Sequence, residues 1–175
     1  MSWLVLASLL LLEGCDLFKK SDPKPLTELE KLPPATQTGK NTIGCLINGK
    51  AFVPATTVDV IAIYQQGILD FRSLVFNPDK TIKFVLLEQY FGVLGTNSYP
   101  LNIYPLSSAS ISIQLHDTTY CYGQMKDVFY GVFSINKLDR VNYIISGKFE
   151  FKTVANIGCD TLNITDGRFD VQYIP

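Results

Sequence analysis

From residue 42 onward, apolar and polar positions alternate in short runs, and glycine, proline or Asn/Asp pairs break the runs at close intervals. Period-two alternation is the signature of strands with one face buried and one wet. Asn48-Gly49 stands between the runs 45–47 and 50–53. Asn-Gly is the strongest short hairpin signal, because a type I′ turn needs positive φ at both central residues. Gln66-Gly67 separates 58–64 from 68–74, and Asn77-Pro78-Asp79-Lys80 separates 73–76 from 81–87, with Pro78 suited to the second position of a turn. Ile111, Ile113 and Leu115 alternate with Ser112 and Gln114, which predicts a half-buried strand.

The last third carries the clearest pattern. Phe129, Phe133 and Ile135 fall on one face of a strand with Gly131 between them, and the chain is expected to turn through Lys137-Leu138-Asp139-Arg140. Tyr143, Ile145, Phe149 and Phe151 then share a face, with Ser146, Lys148, Glu150 and Lys152 on the other. Asp166-Gly167 is expected to close a two-residue hairpin that pairs Ile164 with Phe169 and Leu162 with Val171. The alternative is a bulge at Gly167 inside one continuous strand. No helix of useful length is predicted after residue 41. The expected fold is all-β, an antiparallel β-sandwich or partly open barrel of short strands.

The first 41 residues read differently. Residues 3–12 form an apolar run too short to span a bilayer but suited to the core of a signal peptide. The run ends in Leu12-Glu13-Gly14-Cys15, which resembles the lipobox of bacterial lipoproteins. That resemblance implies cleavage before Cys15 and a diacylglycerol on its thiol. Two departures stand: Glu13 in its slot, and no Lys or Arg before the apolar core, as would follow if translation began a few codons upstream. Residues 15–41 are polar and proline-bearing, with Pro23, Pro25, Pro33 and Pro34, and are expected to form a disordered tether after the lipidated cysteine. Thr27 and Glu30 have capping-box spacing inside it, enough for one helical turn. The expected division is therefore a signal peptide over 1–14, lipidated Cys15 and tether over 15–41, and a single all-β domain over 42–175. Its location is expected in a bacterial cell envelope, at the outer membrane rather than the inner.

Composition narrows the partners. A chain of 175 residues carries 15 basic and 16 acidic residues, net −1, with no basic stripe, so nucleic acid is not an expected partner. Hydrophobic residues make up 47% of the chain, including 9 Tyr and 11 Phe, which suits pleated surfaces. The stretches NTIGCLINGKAFVP (41–54), ISGKFEF (145–151) and ITDGRFDV (164–171) are similar to blocks of an uncharacterised lipoprotein family of Bacteroidota. The resemblance is strongest at the two ends of the strand-rich part and absent over 56–119. It implies the envelope and a β fold but no activity. Lys148 stands where a Thr is expected, a difference of little weight on an exposed strand face.

Besides Cys15, the cysteines are Cys45, Cys121 and Cys159. Cys121 and Cys159 each lie just before a predicted strand, with one antiparallel strand between, so both strand starts fall at the same end of the sheet. A bridge between them is expected, worth about 3 to 4 kcal/mol on the loop-entropy model; the alternative is three buried reduced thiols. Zinc is not expected, with no Cys-x-x-Cys pair and 1 His. His116 precedes Asp117, but neighbours on a strand point to opposite faces and no nucleophile elbow accompanies them. Asp160, Asp166 and Asp170 do not follow calcium-loop spacing. No catalytic residue, metal or cofactor is expected. The expected binding surface is Tyr90, Phe91, Tyr99 and Tyr104, with Tyr64, in the irregular middle of the chain, where tyrosines can stack on sugar rings or contact a protein. The expected role is a non-enzymatic, membrane-anchored module binding a glycan or a protein. The alternatives are an envelope hydrolase acting on glycan, with Glu88 and Glu150 the strand glutamates to watch, and a structural assembly subunit.

Overall fold

Eleven antiparallel strands follow one another with no helix among the described residues: β1 (Thr42–Ile47), β2 (Lys50–Phe52), β3 (Val60–Gln65), β4 (Ile68–Phe76), β5 (Lys80–Leu86), β6 (Ser98–Pro100), β7 (Asn102–Ile103), β8 (Ser107–Leu115), β9 (Tyr120–Asp139), β10 (Ile144–Ala155) and β11 (Leu162–Gln172). The computed structural model describes residues 24–54, 60–66, 68–76, 80–86, 95–103, 107–115, 120–155 and 159–175. The sheet runs β2-β1-β11-β10-β9-β8-β5-β4-β3, with β6 beside β9 and β7 beside β8. The sheet rolls, and β3 meets the chain just after β11. There the Tyr64 amide donates to the Ile174 carbonyl at 2.8 Å and the Ile174 amide to that of Ala62 at 2.9 Å. One parallel bridge joins Ile63 and Ile174, so the sheet is rolled without closing into a barrel.

Rolling brings the inner faces of distant strands together. Phe71 on β4, Phe133 on β9 and Phe169 on β11 form the centre, all 3% exposed or less. The rings of Phe133 and Phe169 stack at 4.8 Å, and Phe71 lies 5.1 Å from Phe169. Each such side chain contributes about 2 to 3 kcal/mol through burial, and close ring pairs add about 1 kcal/mol.

The Asn48-Gly49 turn is as expected: Ile47 pairs with Lys50, and both turn residues have positive φ (48° and 78°). Gln65 likewise pairs with Ile68 around Gln66-Gly67, with Gln66 at φ 52°. Phe76 pairs with Thr81 across the expected turn at 77–80.

Three expectations are corrected, the first two by an odd number in the spacing of apolar residues. Asp166-Gly167 is not a hairpin. β11 runs straight through it, and a bulge in which Glu150 faces Thr165 and Asp166 shifts the register between the pairs Phe149–Gly167 and Phe151–Ile164. Asp166 adopts φ 54°, and a Cβ on Gly167 would stand 2.3 Å from the Phe149 carbonyl oxygen, so that strand approaches only a glycine. Phe129 does not join Phe133 on the inner face. Between the pairs Thr153–Val128 and Lys152–Tyr130, β9 carries one residue more than β10, so Val128 points inward at 5% exposure and Phe129 outward at 53%. Finally, β9 continues through Lys137, Leu138 and Asp139, and the turn falls at 140–143. Asp139 accepts amide hydrogen bonds from Val141 at 3.0 Å and Asn142 at 2.9 Å, which starts the turn after it rather than before. The Asn142 side chain adds a bond to the same carboxylate. Together these bonds hold the Asp139 carboxyl down at about 2, and Tyr143 sits in the turn at φ 55° rather than on the strand.

Residues 24–41, expected to belong to the flexible tether, instead lie on the sheet. Thr27 and Glu30 cap one helical turn reciprocally, and Leu32 enters the core at 6% exposure. The strap then crosses the outer side of β11, where Asp170 is 1% exposed. Its carboxylate accepts hydrogen bonds from the Thr36 hydroxyl (2.6 Å) and from the amides of Thr38 (2.9 Å), Gly39 (2.8 Å) and Lys40 (3.3 Å). Burial by itself would push this carboxyl up, but the four bonds outweigh it and hold it below the ordinary aspartate value. Cys121 and Cys159 form a disulfide with Cα atoms 5.8 Å apart, the expected pair, although Cys121 lies inside β9 near its start rather than before it. Cys45 is buried and free, and burial pushes its thiol well above the usual range.

Because the folded carboxyl of Asp170 titrates below its unfolded value, its stabilisation is complete above roughly pH 4 and is lost as pH falls through the folded value. Asp170→Asn is expected to lower unfolding free energy by about 2 kcal/mol at pH 7 and to flatten that acid limb, as read by urea denaturation at several pH values. Cys121→Ser with Cys159→Ser is expected to lose about 3 to 4 kcal/mol for the 38-residue separation, measured the same way.

Candidate functional site

The exposed face of β10 presents Lys148, Glu150, Lys152 and Val154 at alternate positions. On β9 beside them the bulge turns two consecutive aromatics outward, Phe129 at 53% and Tyr130 at 51% exposure. A bulge that re-aims a side chain in this way recurs next to binding sites. The Lys152 ammonium lies 5.4 Å from the centre of the Phe129 ring, a cation–π distance. The Tyr130 hydroxyl donates to Glu150 Oε1 at 2.5 Å. That bond, with the carboxylate charge behind it, raises the Tyr130 phenol above its ordinary value.

Further along the same face a shallow depression of about 300 Å³ is bordered by Val132, Ser134, Lys148, Glu150 and Asp166. The Ser134 hydroxyl lies 2.8 Å from that of Ser98 on β6. A second hollow of about 180 Å³ shares Lys148 and Asp166 and reaches Arg168 and Ala35. Arg168 is held there by a bond of 3.4 Å to the Pro33 carbonyl on the strap. The surface therefore offers two aromatic faces, hydroxyls, two carboxylates and cations of both kinds within one strand triplet. Such a set hydrogen-bonds and stacks on a polar ligand of little net charge.

Of the residues expected to bind, Tyr99 is described and does not fit the expectation. It points into the core at 5% exposure, its hydroxyl accepting from the Gly95 amide at 2.8 Å and donating to the Gly95 carbonyl at 3.0 Å. Its strand pairs with β9 at Phe133, which sends the ring inward beside that side chain. Tyr64 packs partly buried against Tyr173, ring centres 5.9 Å apart. Cys15, Glu88, Tyr90, Phe91, Tyr104, His116 and Asp117 lie outside the described residues. Asp170, weighed for calcium, is committed to the strap, and among the described residues no three His, Cys, Asp or Glu side chains are grouped to hold a metal. No described helix is long and apolar enough to cross a membrane. The aromatic pair Phe129–Tyr130 was missed because strict alternation assigns Phe129 to the core. The signal that finds it is the five-residue step from Val128 to Phe133, which an unbroken strand cannot place on one face.

The Tyr130–Glu150 contact sets a measurable titration. Glu150→Gln removes the charge that opposes phenolate formation, so the Tyr130 phenol is expected to titrate at lower pH than in the parent, followed by its ring resonances or ultraviolet absorbance. An unchanged titration would mean the two side chains are apart in solution. In comparisons with known proteins, no family model, no curated protein and no solved structure matches this chain.

Proposed function

We propose that the protein is a lipid-anchored binding module of a bacterial cell envelope, joined to the membrane through Cys15 and taking a glycan on the outer face of β9–β11. The anchor is supported by Leu12-Glu13-Gly14-Cys15 after a short apolar run. The Cys121–Cys159 disulfide fits an oxidising compartment outside the cytoplasm. The observation that carries the binding reading is the outward-turned pair Phe129–Tyr130 beside Glu150 and Lys152. Pyranose rings present apolar C–H faces that stack on aromatics and hydroxyls that bond to carboxylate, ammonium and serine groups. A preorganised aromatic surface of this kind orders few side chains on binding. The reading is non-enzymatic: the aromatics grip and the polar groups orient.

A second reading has one specific observation in its favour. Glu150 and Asp166 border the same depression, and two carboxylates flanking a sugar are the machinery of glycoside hydrolysis. In that case glycans would be shortened rather than held, and Glu150→Gln would abolish the shortening.

Titration calorimetry against envelope and host polysaccharides is expected to find a ligand whose affinity falls about five- to tenfold in Phe129→Ala and in Tyr130→Ala, without loss of melting temperature. The intact, non-reduced mass from native membranes is expected to start at Cys15, carry diacylglycerol and lack two hydrogens for the disulfide. An unlipidated chain that keeps residues 1–14 would end the anchor reading, and undiminished binding by both alanine variants would end the assignment of this face.

A further inference from the structure

The strap leaves one corner of the molecule with apolar groups that its own packing does not use. Its helical turn is firmly built: the Thr27 amide donates to Glu30 at 2.7 Å, and the Lys31 amide to the Thr27 carbonyl at 3.2 Å. The inward side of the turn is occupied. Glu28 accepts the Ala51 amide on edge strand β2 at 2.7 Å, and Leu32 is buried. The outward side carries Leu26 at 62% and Leu29 at 49% exposure, one turn apart, and Val53 just beyond β2 is 41% exposed. Lys24, Lys31 and Lys50 are exposed, as is Glu30, and Lys31 pairs with Glu28 at 2.5 Å.

Position in the chain says what covers this corner. Lys24 follows Cys15 by nine residues. A fully extended chain spans about 3.3 to 3.6 Å per residue, so a lipid on Cys15 keeps Lys24 within about 30 Å of the headgroups. At that reach a weak surface contact becomes an intramolecular event at high effective concentration. Two exposed leucines on one turn and an exposed valine, with Lys24 and Lys50 available for lipid phosphates and Glu28 already paired with Lys31, have the composition of an interfacial contact. The two acyl chains of a diacylglycerol anchor by themselves, so a surface contact at this corner orients the domain rather than holds it.

We propose that this corner rests on the bilayer: Leu26, Leu29 and Val53 enter the interface of the leaflet that holds the Cys15 lipid, with Lys24 and Lys50 at the headgroups. The inference rests on the anchor reading given above, and it replaces a domain swinging on a free leash with one seated on the membrane by its strap.

Tryptophan fluorescence tests it directly. The chain has 1 Trp, at position 3, so a chain beginning at Cys15 has none and an introduced tryptophan is the sole reporter. Leu29→Trp and, as control, Val141→Trp at an 85% exposed site in the β9–β10 turn are made in the lipidated protein. Both are placed in vesicles of phosphatidylethanolamine and phosphatidylglycerol containing brominated acyl chains. The expected result is blue-shifted emission and bromine quenching for L29W, with neither for V141W. An L29W protein that floats with the vesicles yet behaves like V141W overturns the membrane contact and leaves the anchor standing. Protein that does not float overturns the anchor and the contact together. A blue shift that grows with protein concentration and is untouched by bromine makes a second copy of the chain the occupant and overturns the bilayer.

Discussion

The contact of Phe71 with Phe133 and Phe169 is the constraint on which the rest of the molecule depends, because it joins strands that lie far apart in the sheet order. A single sheet has two faces, and apolar burial on one of them requires the sheet to roll onto itself. Every strand must then send its apolar residues to the inner side along its whole length. β10 does so by plain alternation, with Ile145, Phe149 and Phe151 buried and Lys148, Glu150 and Lys152 exposed. β9 and β11 are not regular in this sense. Their inward positions step by three at Val128–Gly131, Ile135–Leu138 and Ile164–Gly167. At each step the register slips by one residue, and the strand stays on the core side.

The same slips shape the surface. Holding Val128 inside forces Phe129 outside next to Tyr130, and this is why two aromatics stand together on a face otherwise lined by lysine and glutamate. Two ring faces in water are costly in apolar exposure, roughly 25 cal/mol for each Å² that a partner could cover. Glu150 and Lys152 steady them through a hydrogen bond and a cation–π contact, and both are groups a polar ligand can also use.

The strap is fastened by the opposite kind of interaction. Asp170 occupies an outward position of β11, where alternation calls for a solvated side chain, yet it is buried. Four donors from residues 36–40 replace the water it loses, and a carboxylate so bonded is stable where an unpaired one would not be. Arg168, two residues before Asp170, adds a further tie by donating to the Pro33 carbonyl. The outer side of the β1–β11 pair is thereby covered, and Glu28 occupies the amide of Ala51 on edge strand β2.

Features set by local chemistry are legible in the residues alone. Strand class follows from alternation and the Asn48-Gly49 hairpin from the dihedrals those residues accept, while the sequence named Cys121–Cys159 as one of two outcomes and the fold chose it. Tertiary structure decided what depends on neighbours far along the chain. A two-residue hairpin and a one-residue bulge at Asp166-Gly167 both bring Ile164 and Phe169 to one face, so the sequence pattern is the same for both. The choice comes from β1 and β10, which pair with both halves of β11 and leave no space for a turn. Polar, proline-bearing residues 24–41 lack the apolar content to order themselves, and their fixed path exists because Asp170, more than a hundred residues later, supplies the acceptor. Tyr99 looks like a surface tyrosine in isolation and is a core residue because β6 lies beside β9 at Phe133. Local preference reaches a few residues along the chain, while pairing between distant strands sets which side each residue finally shows.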